Sequence, residues 1–203
     1  MSRVIIIGAG IAGLAAAIGL RRLKIDTSII EQATELAEVG SGISLWPNAL
    51  KALASLGIDG AVRRLAIEEG SGGMRSWSGR LLFQLDLQEL RRTLGDFTVV
   101  LHRAELLSTL RDLAAAADIR LGARCLGFEQ NDQRVKALLS DGTSVEGDLL
   151  LGADGLHSVV RAQLFGANKP RYAGYAAWRG VTQFENNRIL PGISLGRGSQ
   201  FGQ

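Results

Sequence analysis

The chain has 203 residues, 46% hydrophobic and 21% charged, a composition that excludes a disordered chain and fits one ordinary domain or two small ones. A net charge of +3 with no Lys/Arg block disfavours nucleic acid as a partner, while one cysteine (Cys125) and two histidines exclude a disulfide framework and leave little for a metal centre. Glycine is the outlier at 26 residues against 3 prolines, without a collagen period, so tight backbone turns account for it.

Residues 4–20, VIIIGAGIAGLAAAIGL, carry no charge, and the run just reaches the length of a membrane span or signal segment. The single preceding charge, the glycines near its middle and the Ala/Leu pattern after them favour a different reading. That reading is a buried strand at 4–7, a turn, a helix at 12–23 and a second strand at 27–30. Such a βαβ unit, with a right-handed crossover, opens an α/β, Rossmann-like fold, and no membrane partner is expected.

Residues 47–56 read as a helix with Pro47 at its first position and Gly57 just past its end. Residues 74–77 and 81–85 form an expected hairpin about Ser78-Gly79, 98–101 a strand, and 103–116 a helix. From 119 to 145 short strands alternate with turns, and Asp141-Gly142 is a strong hairpin signal. An apolar strand at 148–153 leads into a helix at 156–164. After Pro170, Tyr172, Tyr175 and Trp178 sit in an extended stretch that opens a β-rich region.

Gly8, Gly10 and Gly13 form G-x-G-x-x-G between a strand and a helix. The first glycine allows the tight turn, the second lets backbone approach a pyrophosphate, and the third allows close helix–strand packing. The helix N-terminus offers N–H groups and partial positive charge to phosphates. Glu31 ends the second strand, where a carboxylate can accept hydrogen bonds from ribose hydroxyls. Together these point to an adenine dinucleotide; glycines serving only a turn leave Glu31 unexplained. The motif does not choose between FAD and NAD. Arg103 opens a helix, where the macrodipole disfavours a cation, so it faces either Glu105 or an anion brought from outside. Asp154, in Gly152-Ala153-Asp154-Gly155, either caps the following helix or meets a ligand at the strand's carboxyl end, and the residues leave both open.

The stretches GAGIAGL with Glu31, GSGISLWPNALKALASLGI (40–58), HRAELLSTL (102–110), GDLLLGADGLHSVVR (147–161) and YAGYAAWRG (172–180) resemble the single-component, FAD-dependent aromatic hydroxylases, of the salicylate hydroxylase and urate hydroxylase kind. The resemblance implies an FAD-binding domain over 1–168, including small strands at 70–86 and 119–147. A β-rich substrate region would begin at 169–203 and be incomplete at the C-terminus, since members are much longer. It places Gly8, Gly10, Ala12 and Gly13 at the FAD pyrophosphate and Glu31 at the adenosine ribose. Gln32 and Ser44 would lie beside the adenosine and ribityl portions, Arg103 at phosphate or ribityl oxygens, and the backbone of Cys125 at the adenine. Asp154 belongs to a motif associated with both FAD and NAD(P)H. The implied activity is hydroxylation of a small aromatic or heteroaromatic substrate with NADH or NADPH and O2, in the cytoplasm and without a protein nucleophile. Two other readings compete: a non-catalytic dinucleotide-binding remnant, and a soluble NAD-linked dehydrogenase, which leaves the Asp154-Gly155 segment unexplained. A thiol–disulfide reductase is disfavoured by the single cysteine.

Overall fold

A computed structural model describes residues 2–36, 41–68, 72–84, 86–181 and 191–202, apart from the side chain of Leu87. The first half of the chain forms β1 (Arg3–Ile7), α1 (Ile11–Arg22), β2 (Asp26–Ile30), β3 (Gly42–Leu45), α2 (Pro47–Ser55), α3 (Asp59–Leu65), β4 (Ile67–Glu68), β5 (Gly73–Ser76), β6 (Leu81–Gln84), α4 (Leu87–Leu94) and β7 (Val99–His102). The second half forms α5 (Arg103–Leu113), β8 (Asp118–Arg120), β9 (Cys125–Gln130), β10 (Val135–Leu139), β11 (Ser144–Gly147), β12 (Leu149–Gly152), α6 (Val159–Phe165), β13 (Gly192–Leu195) and β14 (Gln200–Gly202).

The chain divides into two compact units, Met1–Gly40 with Arg103–Trp178, and Ser41–His102 with Arg179–Gln203. In the first unit the order β12-β1-β2-β8 makes a parallel sheet. Side chains alternate between its faces. Ile5, Ile7 and Ile30 join Cys125, Phe128, Val135, Ala137 and Leu139 of the β9–β10–β11 meander and Val160 of α6 in one core. From the other side of β1, Ile6 meets α1 at Gly13, and α1 buries Leu14, Ala17 and Ile18. The uncharged run at 4–20 is therefore a strand, a turn and a helix. Among the described residues no helix is long and apolar enough to cross a membrane.

The second unit holds the sheets β14-β13-β5-β6 and β3-β7-β4. Pro47 opens α2 and Gly57 follows it at φ +70°, a left-handed conformation that glycine adopts without steric cost. Asp86 caps α4 by accepting from the Glu89 N–H at 2.9 Å. Arg63 pairs with Asp96, and the guanidinium groups of Arg63 and Arg91 lie over the Phe97 ring, 5.4 and 4.9 Å from its centre.

Several expectations shift. The 103–116 helix ends at Leu113, because Ala114 N–H is shared between the Leu110 and Arg111 carbonyls and the chain tightens into turns. The 156–164 helix begins at Val159, for reasons given with the site below. The hairpin at Ser78-Gly79 forms as β5 and β6, with its expected end at residue 85 outside the described residues. Tyr172, Tyr175 and Trp178 carry no strand; the later strand β13 pairs in parallel with β5. Residues 73–84 thus group with the C-terminal strands in the second unit.

Candidate functional site

The register of the parallel sheet brings the glycine turn, Glu31 and the Ala153-Asp154 loop to the same end of the strands. Ile7 lies level with Ile30 on one side and Gly152 on the other, so the chain leaves all three strands together. Gly8 N–H then donates to Ile30 O and Ala153 N–H to Ile7 O, both at 2.8 Å. Ligands of open α/β sheets bind at such carboxyl ends.

The three glycines have different local reasons. Gly8 sits at φ +106°, and a Cβ there would lie 2.5 Å from Ala153 O. A Cβ on Gly13 would run into the Gly8 carbonyl oxygen, with Ile6 Cγ2 at 3.3 Å. Gly10 is unlike both: among the described residues a Cβ there meets nothing within 4 Å. Packing of the protein therefore dictates the first and third glycines, while the second faces open space. Gly10 also ends the turn as the N-cap of α1, with no side-chain cap and no acidic residue in the first helical turn. The first N–H groups of α1, beside exposed Ala12, have no partner within the helix itself, as at any helix N-terminus.

Glu31 follows β2 and points its carboxylate back at this turn. Oε2 accepts from Ala9 N–H at 2.8 Å and Oε1 from Ala33 N–H at 2.9 Å. Its sequence position indicated a ribose ligand; nothing in the pattern indicated these backbone bonds. Gln32 beside it is exposed.

Asp154 caps α6. Its Oδ2 accepts from Val159 N–H at 2.7 Å and Val160 N–H at 3.3 Å, and the Ser158 hydroxyl accepts from Arg161 N–H at 2.9 Å. These two caps fix the helix start at Val159 rather than 156. Asp154 Oδ1 is buried and has no hydrogen-bond partner among the described residues. Arg161 donates to the carbonyls of Gly155 and Leu156, tying the loop to the helix it precedes. Gln163, which the sequence did not single out, binds Phe128 twice, donating to its carbonyl at 2.6 Å and accepting from its N–H at 2.9 Å.

Cys125 is buried in the core beneath these loops; its thiol donates to Gly127 O at 3.4 Å, and burial pushes its pKa up, so it stays a protonated packing residue. Arg103 opens α5 at an exposed position, and α5 packs against α1. The first unit thus brings together Gly8, Gly10, Gly13, Glu31 and Asp154. Ser44 lies in the second unit, exposed on β3 opposite Val100 of β7.

A family model described as FAD binding domain matches residues 1–182. The chain is similar to Aurachin C monooxygenase/isomerase of Stigmatella aurantiaca, 37% identical over 98% of this chain and 52% of that protein. It is also similar to FAD-dependent urate hydroxylase of Klebsiella pneumoniae, 34% identical over 94% of this chain and 50% of that protein. Among solved structures, a variant of Klebsiella pneumoniae HpxO complexed with FAD superposes with a TM-score of 0.90 at 32% identity, over 98% of this chain and 53% of that one. The chain spans about half the length of the relatives it matches.

Proposed function

The chain belongs to the FAD binding domain family, and from that premise we propose that it forms the nucleotide-binding part of an FAD-dependent monooxygenase. That enzyme would hydroxylate a small aromatic or heteroaromatic substrate, with NADH or NADPH as reductant and O2 as oxygen source. The names of the relatives, a monooxygenase/isomerase and an FAD-dependent urate hydroxylase, favour this reaction, and the second, with the matching family, favours FAD over NAD as the resident nucleotide. The observation that carries the proposal is the contrast within the glycine turn. Two glycines are required by contacts inside the protein, and the remaining one, Gly10, borders open space beside an uncapped helix end.

The residues present fit the group. Gly8, Gly10, Ala12 and Gly13 would hold the pyrophosphate on backbone N–H groups, and Glu31 retains acceptor capacity for ribose hydroxyls, since each carboxylate oxygen takes more than one donor. Arg103 would supply charge toward phosphate or ribityl oxygens. Gln32 and Ser44 would border the adenosine and ribityl portions, the Cys125 backbone the adenine, and Asp154 the end shared with NAD(P)H. FAD supplies the redox chemistry when bound. The protein's part is to bind it, orient it and restrict water. A buried lone thiol is in keeping with a reducing cytoplasm.

The test is an FAD titration followed by flavin fluorescence. Gly10→Val should leave the circular dichroism spectrum and melting temperature near wild type while abolishing FAD binding, because the side chain fills ligand space alone. Gly13→Val should lower the melting temperature, because it strikes the Gly8 carbonyl. FAD affinity unchanged in a folded Gly10→Val chain overturns the assignment. NAD(P)H consumption with aromatic acids and purine-like rings then tests the reaction itself.

A further inference from the structure

We propose that Glu31 acts on the nucleotide mainly through the backbone of the glycine turn, as a positioning residue whose carboxylate latches residues 8–10 in their anion-binding shape. The inference rests on the nucleotide site proposed above and assigns Glu31 a role there besides that of ribose acceptor.

Ala9 lies between the first two glycines and is 1% exposed. Its N–H donates to Glu31 Oε2 at 2.8 Å. The neighbouring Gly8 N–H donates to Ile30 O, the residue just before Glu31. Two successive N–H groups of the turn are therefore anchored to the end of β2, one on a carbonyl and one on a carboxylate. Downstream, Leu14 N–H returns to Gly10 O at 3.0 Å, closing the first turn of α1. The N-cap between these anchors, Gly10, has no side chain with which to cap the first N–H groups of α1.

The other carboxylate oxygen is fixed as well. Oε1 accepts from Ala33 N–H at 2.9 Å, while Gly122 N–H donates to Ala33 O and Ala123 N–H to Glu31 O. The carboxylate thus bridges the glycine turn to a loop that the 122–123 segment already holds. Removing it would leave the buried Ala9 N–H without an acceptor. A glutamine could offer its single amide oxygen to one of the two N–H groups but would set an NH2 against the other.

The experiment measures wild type, Glu31→Gln and Glu31→Ala with ADP and with 2′,3′-dideoxy-ADP, which keeps the diphosphate and lacks both ribose hydroxyls. Amide hydrogen exchange at Ala9 is followed in the ligand-free chain, all well below the melting temperature. A latch predicts that Glu31→Ala weakens dideoxy-ADP by about tenfold or more for one orphaned buried donor, and ADP by at least that factor. It also predicts faster exchange at Ala9, with Glu31→Gln between alanine and wild type in both readouts. Four results would overturn it: weakened ADP with unchanged dideoxy-ADP, which leaves Glu31 a ribose ligand only; unchanged exchange at Ala9; faster exchange with unchanged affinity, which leaves a structural role only; and glutamine equal to alanine. Failure of the wild type to bind either nucleotide counts against the site itself and is recognised separately, because Ala9 exchange would still respond to Glu31.

Discussion

The strands β1 and β6 are both short and apolar, and they end in opposite situations. Val4 to Ile7 are each at most 5% exposed, whereas Leu81, Leu82 and Phe83 are about half exposed. β1 is central, paired on both sides by β2 and β12 and covered by α1 on one face and the meander on the other. Among the described residues, β6 is the last strand of its sheet and pairs with β5 alone. Apolar composition names a strand, but neighbours decide whether it becomes core. The position of the glycine turn follows: it leaves the most enclosed strand of the first unit, so its backbone is held from several directions at once.

The largest expected effect breaks the enclosed side. Ile5→Ala should cost about 2–5 kcal/mol in denaturant unfolding, because Ile5 is fully buried between two layers. A loss below about 1 kcal/mol would mean that the core around β1 closes over the gap, and the contrast with β6 would weaken.

An intermediate effect belongs to the second unit. The hydrogen bond from Arg63 holds the Asp96 carboxyl below the usual carboxylate range, with smaller help from the Phe97 N–H. Asp96→Asn should cost about 1–2 kcal/mol at neutral pH. A carboxyl with a lowered folded pKa contributes stability above its unfolded value and loses it as pH falls through the folded value. Stability curves of wild type and Asp96→Asn should therefore separate above pH 4 and converge in stronger acid. Parallel curves at all pH values would remove Asp96 from the stability of this unit.

The smallest effect is expected at the exposed strand. Leu82→Ser should change stability by no more than about 0.5 kcal/mol. A loss near that of Ile5→Ala would show that this face of β6 is covered, and would erase the comparison.

Much of the first unit was legible because its signals are local. Residues 4–7 alternate nowhere and are buried on both faces, the glycine spacing marks the turn, and Asp141-Gly142 closes the β10–β11 hairpin with Gly142 at φ +80°. The pairing of β13 with β5 was not legible, since it joins residues more than a hundred positions apart and leaves no periodic trace. Helix ends were misplaced where capping overrode propensity. Leu156 and His157 suit a helix, yet Asp154 and Ser158 supply acceptors only to N–H groups from Val159 onward. Glu31 was found by position and chemistry, and its bonds to Ala9 and Ala33 were invisible because they depend on the fold of both loops. The sequence around Asp154 suits a helix cap and a ligand contact equally, and in the structure its Oδ2 caps α6.

The paired contacts of Gln163 have a consequence for how this chain meets other chains. β9 is the outer strand of its meander, and on its open side Phe128 would present one N–H and one C=O in the spacing that another strand recognises. The Gln163 amide answers both groups at once, imitating a peptide unit, and Gly127 leaves the room it needs: a Cβ there would stand 2.9 Å from Gln163 Oε1. One side chain from α6 thus answers the middle of this sheet edge, closing off at that point the kind of strand addition by which β-proteins self-associate.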